Sequence, residues 1–228
     1  MGAFDRTISL IGDGAFGKLQ TAKVLVVGLG GVGGAASEVL VRSGIGSLTF
    51  VDGDCFEQTN LNRQLLCTVS ELGKNKAVVA KQKAEAINAD VNAAALPIFV
   101  NGDNIKELLC DKYDYCVDAI DDLPNKVLLI AECQKAGIPV VSALGAGNRI
   151  SCDFYVTDIY KTKDDPFARK LRHELKKADV TALDVVCACS PPLTKHGTPS
   201  SIAAPPLVMG AMLASVVVQK IIGGFRPE

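Results

Sequence analysis

The sequence lacks the features of a protein with a structural zinc site, of a secreted protein and of a membrane-spanning protein. Its eight cysteines are scattered, and only Cys187 and Cys189 lie close, with one residue between them where zinc knuckles have two. We expect all of them to be reduced and to pack as small hydrophobic side chains. No basic segment followed by an apolar one opens the chain, which argues against a signal peptide. The most apolar stretch, near the C-terminus, is shorter than a membrane span of about 20 residues and predicts a buried helix.

The sequence also lacks a charge bias. Its 24 lysines and arginines nearly balance 25 acidic residues, so no global field attracts nucleic acid or a membrane surface. Any RNA contact must therefore come from a local patch. The two histidines, His173 and His196, have no partnered acid or metal-ligand spacing, and we expect both to be incidental. The composition is that of an ordinary globular protein, which we expect to be cytoplasmic.

What the sequence does contain is a regular alternation of strand and helix patterns over residues 23–147. Strand patterns occur at 23–30, 45–52, 91–100, 113–120 and 138–145, and helical patterns at 31–44, 74–88, 104–110 and 125–137. This alternation predicts an α/β fold, a Rossmann-like, doubly wound and mainly parallel sheet with helices on both faces.

The alternation fails after residue 147, which predicts a C-terminal extension. We expect added strands at 154–162 and 183–189, a basic helix at 165–178, a mobile Pro/Ser-rich loop at 190–206 and a final core helix.

A glycine-rich turn, GLGGVGG at residues 28–34, joins the first predicted strand to the first predicted helix. Glycines at such a turn let the backbone approach a phosphate group at the helix N-terminus; those of this loop that we expect to bind the cofactor are Gly28, Gly30, Gly31 and Gly33. Asp52 follows about twenty residues later, where its carboxylate can accept hydrogen bonds from both ribose hydroxyls. Alone, this pair favours an NAD-dependent oxidoreductase, with a tight turn that binds nothing as the alternative.

The next stretch, VDGDCFEQTNLNRQ at residues 51–64, changes that interpretation. It adds further candidate nucleotide-binding residues, namely Asp54, Asn60, Arg63 and Gln64, and Lys76 follows shortly afterwards. Dinucleotide phosphates are neutralised mostly by backbone N–H groups, whereas charged and amide donors suit a triphosphate. We therefore expect ATP rather than NAD.

An acidic pair, Asp121 and Asp122, follows the fourth predicted strand. Asp121 is expected to bind Mg²⁺ opposite the phosphate oxygens. The alternative is that either residue caps the helix that begins near Pro124, and this alternative is favoured for Asp122.

ATP could transfer either its γ-phosphoryl group or AMP. The glycine loop lacks the Gly-Lys-Ser/Thr ending of P-loop kinases. If these charged and amide side chains bind the β- and γ-phosphates, the α-phosphorus stays accessible to attack by a carboxylate. This favours a reaction that forms an acyl-adenylate.

Four ordered motifs, GLGGVGG, VDGDCFEQTNLNRQ, GKNKA and DAIDD, resemble the adenylating domain of the ubiquitin-activating-enzyme superfamily over residues 24–122. The resemblance implies ATP and Mg²⁺, with Asp52 on the ribose, Asn60, Arg63 and Lys76 around the phosphates, and Asp121 at the metal. It also implies a homodimer in which an N-terminal arginine, matched by Arg6, enters the neighbouring site. Arg6, Arg63, Lys76 and Asp121 are thus the expected catalytic residues.

The same resemblance suggests one adenylating domain over 1–228. Within it, residues 1–22 would contact the dimer partner, 23–147 would bind the nucleotide, and 148–228 would serve the substrate and the dimer.

Residues 145–177 resemble a segment typical of tRNA threonylcarbamoyladenosine dehydratases. In that family ATP activates the carboxylate of a threonylcarbamoyl group on an adenosine beside the anticodon. The neighbouring carbamoyl group then closes onto the activated carbon and expels AMP. Tethering gives a high effective molarity, so no protein nucleophile is needed. The resemblance implies that the tRNA anticodon arm is a partner contacted by Arg169, Lys170 and Arg172, with a merely solvated basic face as the alternative.

Two other functions remain open. An activator of a ubiquitin-like sulphur-carrier protein would adenylate its Gly-Gly terminus and could act with a sulphur-transfer partner. Zinc-bearing activators have two Cys-x-x-Cys pairs, absent here, and thiol-dependent ones need a mobile reactive cysteine, for which Cys187 and Cys189 are the candidates. We expect both in the buried strand at 183–189 instead. A non-catalytic nucleotide-sensing module is disfavoured by the unbroken set of phosphate and metal residues.

Overall fold

A seven-stranded sheet organises the chain in the computed structural model, which describes residues 2–163, 165–193 and 200–223. Its strands are β1 (Lys23–Val27), β2 (Ser47–Val51), β3 (Asn92–Leu96), β4 (Tyr115–Asp118), β5 (Val140–Ala143), β6 (Phe154–Asp158) and β7 (Asp184–Ala188). Their spatial order is β3-β2-β1-β4-β5-β7-β6, and all neighbours are parallel except the β6–β7 pair. The predicted Rossmann-like, mainly parallel sheet is therefore confirmed.

Helices cover both faces of this sheet. They are α1 (Asp5–Ile11), α2 (Asp13–Thr21), α3 (Gly31–Arg42), α4 (Lys76–Ile87), α5 (Ile105–Leu108), α6 (Leu123–Lys135), α7 (Pro166–Lys177) and α8 (Ala204–Ile222). One core includes side chains of α2, α3, α4 and α8, such as Leu40 and Leu213. The other face holds side chains of α5, α6 and α7, such as Leu129 and Leu171.

Helix α8 is the one helix of the described chain long and apolar enough to cross a membrane, by length and composition alone. It packs against α3 so closely that a Cβ at Gly210 would overlap the carbonyl oxygen of Val32. Met209, Leu213 and Val217 are fully buried. These contacts make α8 a core helix of the fold, as its sequence predicts.

Several boundaries differ from the sequence prediction. β3 ends at Leu96 because Pro97 has no N–H group to continue the ladder. The predicted strand at 154–162 ends at Asp158, whose carboxylate accepts the Tyr160 N–H at 2.8 Å and begins a 3-10 turn. Helix α8 begins inside the predicted loop, since prolines are tolerated in a first helical turn. Helices α1 and α2 were not predicted, and residues 194–199, including His196, lie outside the described part.

The strand order reverses at β1. From there the chain builds β2 and β3 on one side, and β4 and β5 on the other. Ligands of doubly wound sheets bind outside the carboxyl ends of the strands at such a switch point. The loops that follow β1, β2 and β4, which carry Gly28, Asp52 and Asp121, therefore meet where a ligand is expected.

Candidate nucleotide site

The glycine loop packs its backbone directly on the loop after β4. Gly28 has a φ of +86°, and a Cβ there would lie 2.7 Å from the carbonyl oxygen of Ala119. A Cβ at Gly33 would overlap the carbonyl oxygen of Gly28. At Gly30 the nearest side-chain atom is Nε2 of Gln64, 4.0 Å from a Cβ built there, and no side chain caps α3. Two glycines thus permit close packing, and a third leaves the α3 N-terminus open to an anion.

Asp52 joins the loops after β1 and β2. Its Oδ2 accepts the Leu29 N–H at 2.6 Å, and its Oδ1 accepts the Asp54 N–H at 2.8 Å. The carboxylate is still partly exposed, and each oxygen has a second lone pair for a ribose hydroxyl. Asp52 is therefore a structural tie as well as a candidate ribose ligand.

Asn75 is a site residue that the sequence analysis missed. Its Oδ1 accepts the N–H groups of Ala77 and Val78 as the N-cap of α4, and its Nδ2 donates to the carbonyl oxygens of Asp52 and Asp54, at 3.0 Å each. The predicted helix at 74–88 begins two residues too early, although Asn is a preferred N-cap and α4 begins directly after Asn75. Asn75 fixes the 52–54 loop against the helix that presents Lys76.

Lys76 is buried with its Nζ 2.9 Å from Oδ2 of Asp54. Only 8% of the lysine side chain is exposed, against 56% of the aspartate side chain. An exposed carboxylate can rotate into water when a stronger anion arrives, whereas the lysine is held in place. The positive charge of Lys76 is therefore fixed at the edge of the site, and an anionic ligand could replace Asp54 as its partner.

The 57–64 turn presents the remaining amide and guanidinium groups. Asn60 is buried, and its Oδ1 accepts the Glu57 N–H at 3.1 Å. Arg63 donates to the carbonyl oxygen of Thr59 at 2.9 Å. Gln64 is buried, and its Oε1 has no hydrogen-bond partner within the described chain.

Gly31 lies close to this turn, since a Cβ there would be 3.2 Å from the Arg63 carbonyl oxygen. The turn is thus packed against the start of α3. An unsatisfied buried amide oxygen is costly and marks a group that awaits a partner. That partner must be a hydrogen-bond donor, such as a ribose hydroxyl or water, whereas the open helix end and Lys76 fit a polyphosphate nucleotide.

The two aspartates after β4 divide their tasks. Oδ2 of Asp122 accepts the Asn125 N–H at 3.1 Å, so the helix-cap alternative is confirmed for Asp122. Asp121 is exposed on the preceding loop. The described residues contain no cluster of three or more acidic, histidine or cysteine ligands. Mg²⁺ held by Asp121 would therefore take its other ligands from phosphate oxygens and water, as this ion commonly does.

A buried ion pair between Lys126 and Asp118 holds the backbone next to Asp121 in place. Nζ of Lys126 lies 2.8 Å from Oδ2 of Asp118 and donates to the Ile120 carbonyl oxygen at 2.9 Å. Asp118 also accepts from the Ser142 hydroxyl at 2.6 Å and from the Ile120 N–H at 3.1 Å. Both charged side chains are fully buried. Both polar groups of Ile120, the residue before Asp121, are thereby held.

The cysteine candidates differ in accessibility. Cys187 lies buried in β7, and burial raises the pKa of its thiol, which lowers its thiolate fraction at neutral pH. Cys189 is exposed, one residue beyond the strand. The expectation of a buried strand position is therefore confirmed for Cys187 and wrong for Cys189, because pairing with β6 ends at Ala188.

The basic helix α7 is anchored by arginines that face inward. Arg172 donates through one guanidinium nitrogen to the carbonyl oxygen of Thr162 at 3.0 Å and to its hydroxyl oxygen. Buried Arg149 donates to the carbonyl oxygens of Gly145 and Ser190, and its guanidinium lies 3.9 Å from Asp165, the N-cap of α7. Because Arg172 has internal partners, RNA contact by the three predicted residues would rest mainly on Arg169 and Lys170, which are exposed.

Comparison with known proteins places this chain in a family. The model of the ThiF family matches residues 4–228. This chain belongs to the ThiF family.

Within the ThiF family, the chain resembles dehydratases over most of its length. It is 40% identical over 174 residues to the tRNA threonylcarbamoyladenosine dehydratase of Escherichia coli, which is 76% of this chain and 65% of that protein. It is 36% identical over 178 residues to the Bacillus subtilis protein of the same name, with shares of 78% and 70%. The matched part thus spans about two thirds of these relatives. The resemblance to this family, noted from residues 145–177, is confirmed.

Structural and more distant likeness agree with this placement. The crystal structure of the E. coli dehydratase TcdA in complex with ATP superposes with a TM-score of 0.91 at 33% identity, covering 96% of this chain and 93% of TcdA. The sulphur carrier protein ThiS adenylyltransferase of B. subtilis is 35% identical over 140 residues, 60% of this chain and 41% of that protein. The shared portion with the sulphur-carrier branch is smaller.

The buried ion pair generates a stability prediction. Lys126→Met should lower the free energy of unfolding by about 3–5 kcal/mol, because it leaves the Asp118 carboxylate buried and uncompensated. Adding Asp118→Asn should restore much of that loss. Lys135→Met, on the exposed side of the same helix beside Glu132, is the matched control and should cost less than about 1 kcal/mol. Urea unfolding of the four proteins checks this, and a Lys126→Met loss equal to the control's would contradict it.

Proposed function

We propose that this chain uses ATP and Mg²⁺ to dehydrate threonylcarbamoyladenosine in tRNA, closing it into a ring through an acyl-adenylate. The observation that carries the proposal is the meeting of Lys76, Arg63 and the open α3 N-terminus at one sheet edge. Named relatives that cover most of this chain share that function in name, and one of them is known with ATP bound.

In this proposal each residue group has a physical task. The substrate carboxylate attacks the α-phosphorus, and pyrophosphate leaves with additional negative charge. Lys76 and Arg63 would neutralise that charge, and Asn60 and Gln64 would donate amide hydrogens to phosphate oxygens. Asp52 would hold the ribose and thereby orient the α-phosphate. Mg²⁺, held in part by Asp121, would supply further charge neutralisation at the leaving group.

Ring closure needs no covalent intermediate on the protein. The carbamoyl group is tethered to the activated carbon, so its attack is intramolecular, and AMP leaves with one carboxylate oxygen. The raised pKa of the buried Cys187 thiol agrees with this scheme, since a thiolate at that position is disfavoured. We also propose a cytoplasmic location, where tRNA is found and cysteines stay reduced, which cell fractionation tests.

Pyrophosphate exchange distinguishes the proposal from its nearest rival, a sulphur-carrier adenylyltransferase. Exchange of labelled pyrophosphate into ATP should rise with tRNA that carries threonylcarbamoyladenosine, and not with a carrier protein ending in Gly-Gly. Lys76→Ala should lower the exchange rate about 10²–10³-fold, as loss of one preorganised charge contact does. Lys81→Ala, at a partly exposed lysine on the same helix paired with Glu85, should keep the normal rate. Stimulation by the carrier protein alone would favour the rival.

Contact between α7 and the anticodon arm gives a second prediction. Changing Arg169 and Lys170 to alanine should weaken tRNA binding and reduce the slope of log affinity against log salt by about 1.5, as expected for two lost phosphate contacts. ATP affinity should not change, because these side chains are exposed on a separate element. Alanine at the exposed residues Lys106 and Lys112 is the charge-matched control. An unchanged salt slope would show that α7 is only a solvated face.

We further propose that residues 1–22 contact a second copy of the chain and bring Arg6 into its site, with 23–147 as the nucleotide-binding part and 148–228 as the substrate and dimer part. Arg6 is exposed on α1, as is Leu10, which is 71% exposed. Mixing Arg6→Ala with Lys76→Ala protein should yield about a quarter of wild-type activity, since half of the dimers are mixed and each has one intact site of two. Failure of the mixture to exceed either variant, with subunit exchange demonstrated, would argue against a shared site.

A further inference from the structure

Phe99 is exposed to water at the nucleotide edge of the sheet. Its side chain is 62% exposed, and no other aromatic residue of the described chain belongs to the exposed class. It lies three residues beyond the end of β3, the strand beside β2. Burying a side chain of this size is favourable by about 1.5–3 kcal/mol, so its exposure leaves that contribution unused. A single exposed apolar residue is common, however, and needs a second observation to carry meaning.

That observation is the contact between the Phe99 ring and Gly53. A Cβ built at Gly53 would lie 2.5–2.7 Å from three ring atoms of Phe99, so the ring covers the glycine directly. Gly53 is the residue between Asp52, the candidate ribose ligand, and Asp54, the partner of Lys76. The ring therefore lies next to the loop that carries the candidate ribose ligand.

The backbone around Phe99 is held in place. Its carbonyl oxygen accepts a hydrogen bond from Nδ2 of Asn104 at 2.8 Å, and Oδ1 of Asn104 accepts the Asn101 N–H at 2.9 Å. Val100, the next residue, is 95% buried, with only 5% of its surface exposed. The aromatic ring is thus carried by an anchored loop, so little ordering would be needed when a planar group packs on it.

We propose that Phe99 packs on the adenine ring of bound ATP and is a determinant of nucleotide affinity and base selectivity. An aromatic ring offers a purine a larger stacking surface than it offers a pyrimidine. The inference rests on the proposed function insofar as ATP is the ligand. It adds a residue outside the phosphate, ribose and metal set described above.

The test compares three ligands that share a triphosphate: ATP, UTP and inorganic tripolyphosphate, each with Mg²⁺. Their Kd values would be measured by calorimetry, or by displacement of labelled ATP, for wild type, Phe99→Ala and Phe99→Tyr. Base–aromatic stacking predicts about 5- to 150-fold weaker ATP binding by Phe99→Ala, with a reduced preference for ATP over UTP. Tripolyphosphate affinity should stay within about twofold, and Phe99→Tyr should bind ATP like the wild type. Val69→Ala, which removes another exposed apolar side chain, is the matched control.

Each other outcome is informative. If Phe99→Ala binds ATP normally, or loses affinity for ATP and tripolyphosphate equally, the ring does not contact the base and the inference is overturned. If the wild-type protein binds neither ATP nor tripolyphosphate, the proposed function itself fails, and the inference fails with it.

Discussion

The backbone contact between Gly28 and the carbonyl oxygen of Ala119 sets the geometry of everything else at the nucleotide edge. It brings the loop after β1 onto the loop after β4 without intervening side chains. Asp52 then ties the first of these loops to the one after β2, and the Lys126–Asp118 pair holds the second from beneath. Three loops from three strands become one surface. A side chain at position 28 would push the loops after β1 and β4 apart, and a residue other than glycine would adopt the positive φ of this position only at an energetic cost.

The cations at this edge are already partnered within the chain. Lys76 pairs with Asp54, and Arg63 donates to its own turn. Polyphosphate binding would therefore be an exchange of partners, in which an exposed aspartate and a backbone carbonyl return to water. Such an exchange limits the net gain from each charge contact, while a fixed lysine keeps the reorganisation small at the moment of reaction. The unpartnered amide oxygen of Gln64 is a hydrogen-bond acceptor, so a ribose hydroxyl or water would satisfy it, and a phosphate oxygen would not.

Much of the sheet and of the nucleotide edge can be predicted from the sequence, because these features depend on local patterns. Strand and helix alternation predicts the parallel sheet, and the motifs after β1, β2 and β4 must meet once that sheet forms. The N-cap role of Asn75 was missed, because the predicted helix begins two residues too early. Other features depend on tertiary contacts that no local pattern reveals. They are the burial of Lys126, the hydrogen bonds of Arg172 to Thr162, and the contact of the Phe99 ring with Gly53. The exposure of Cys189 follows from where pairing with β6 ends, which the strand pattern alone does not reveal.

In the proposed reaction the substrate carboxylate attacks the α-phosphorus of ATP, and ring closure then expels AMP. The most direct measurement follows the oxygen atoms. Transfer RNA whose threonylcarbamoyladenosine carboxylate is labelled with ¹⁸O would be incubated with the protein and Mg²⁺-ATP, and the products would be analysed by mass spectrometry. Reaction through an acyl-adenylate should leave one ¹⁸O atom in AMP and a nucleoside that has lost the mass of one labelled water. Label in orthophosphate, or AMP without label alongside dehydrated nucleoside, would contradict it.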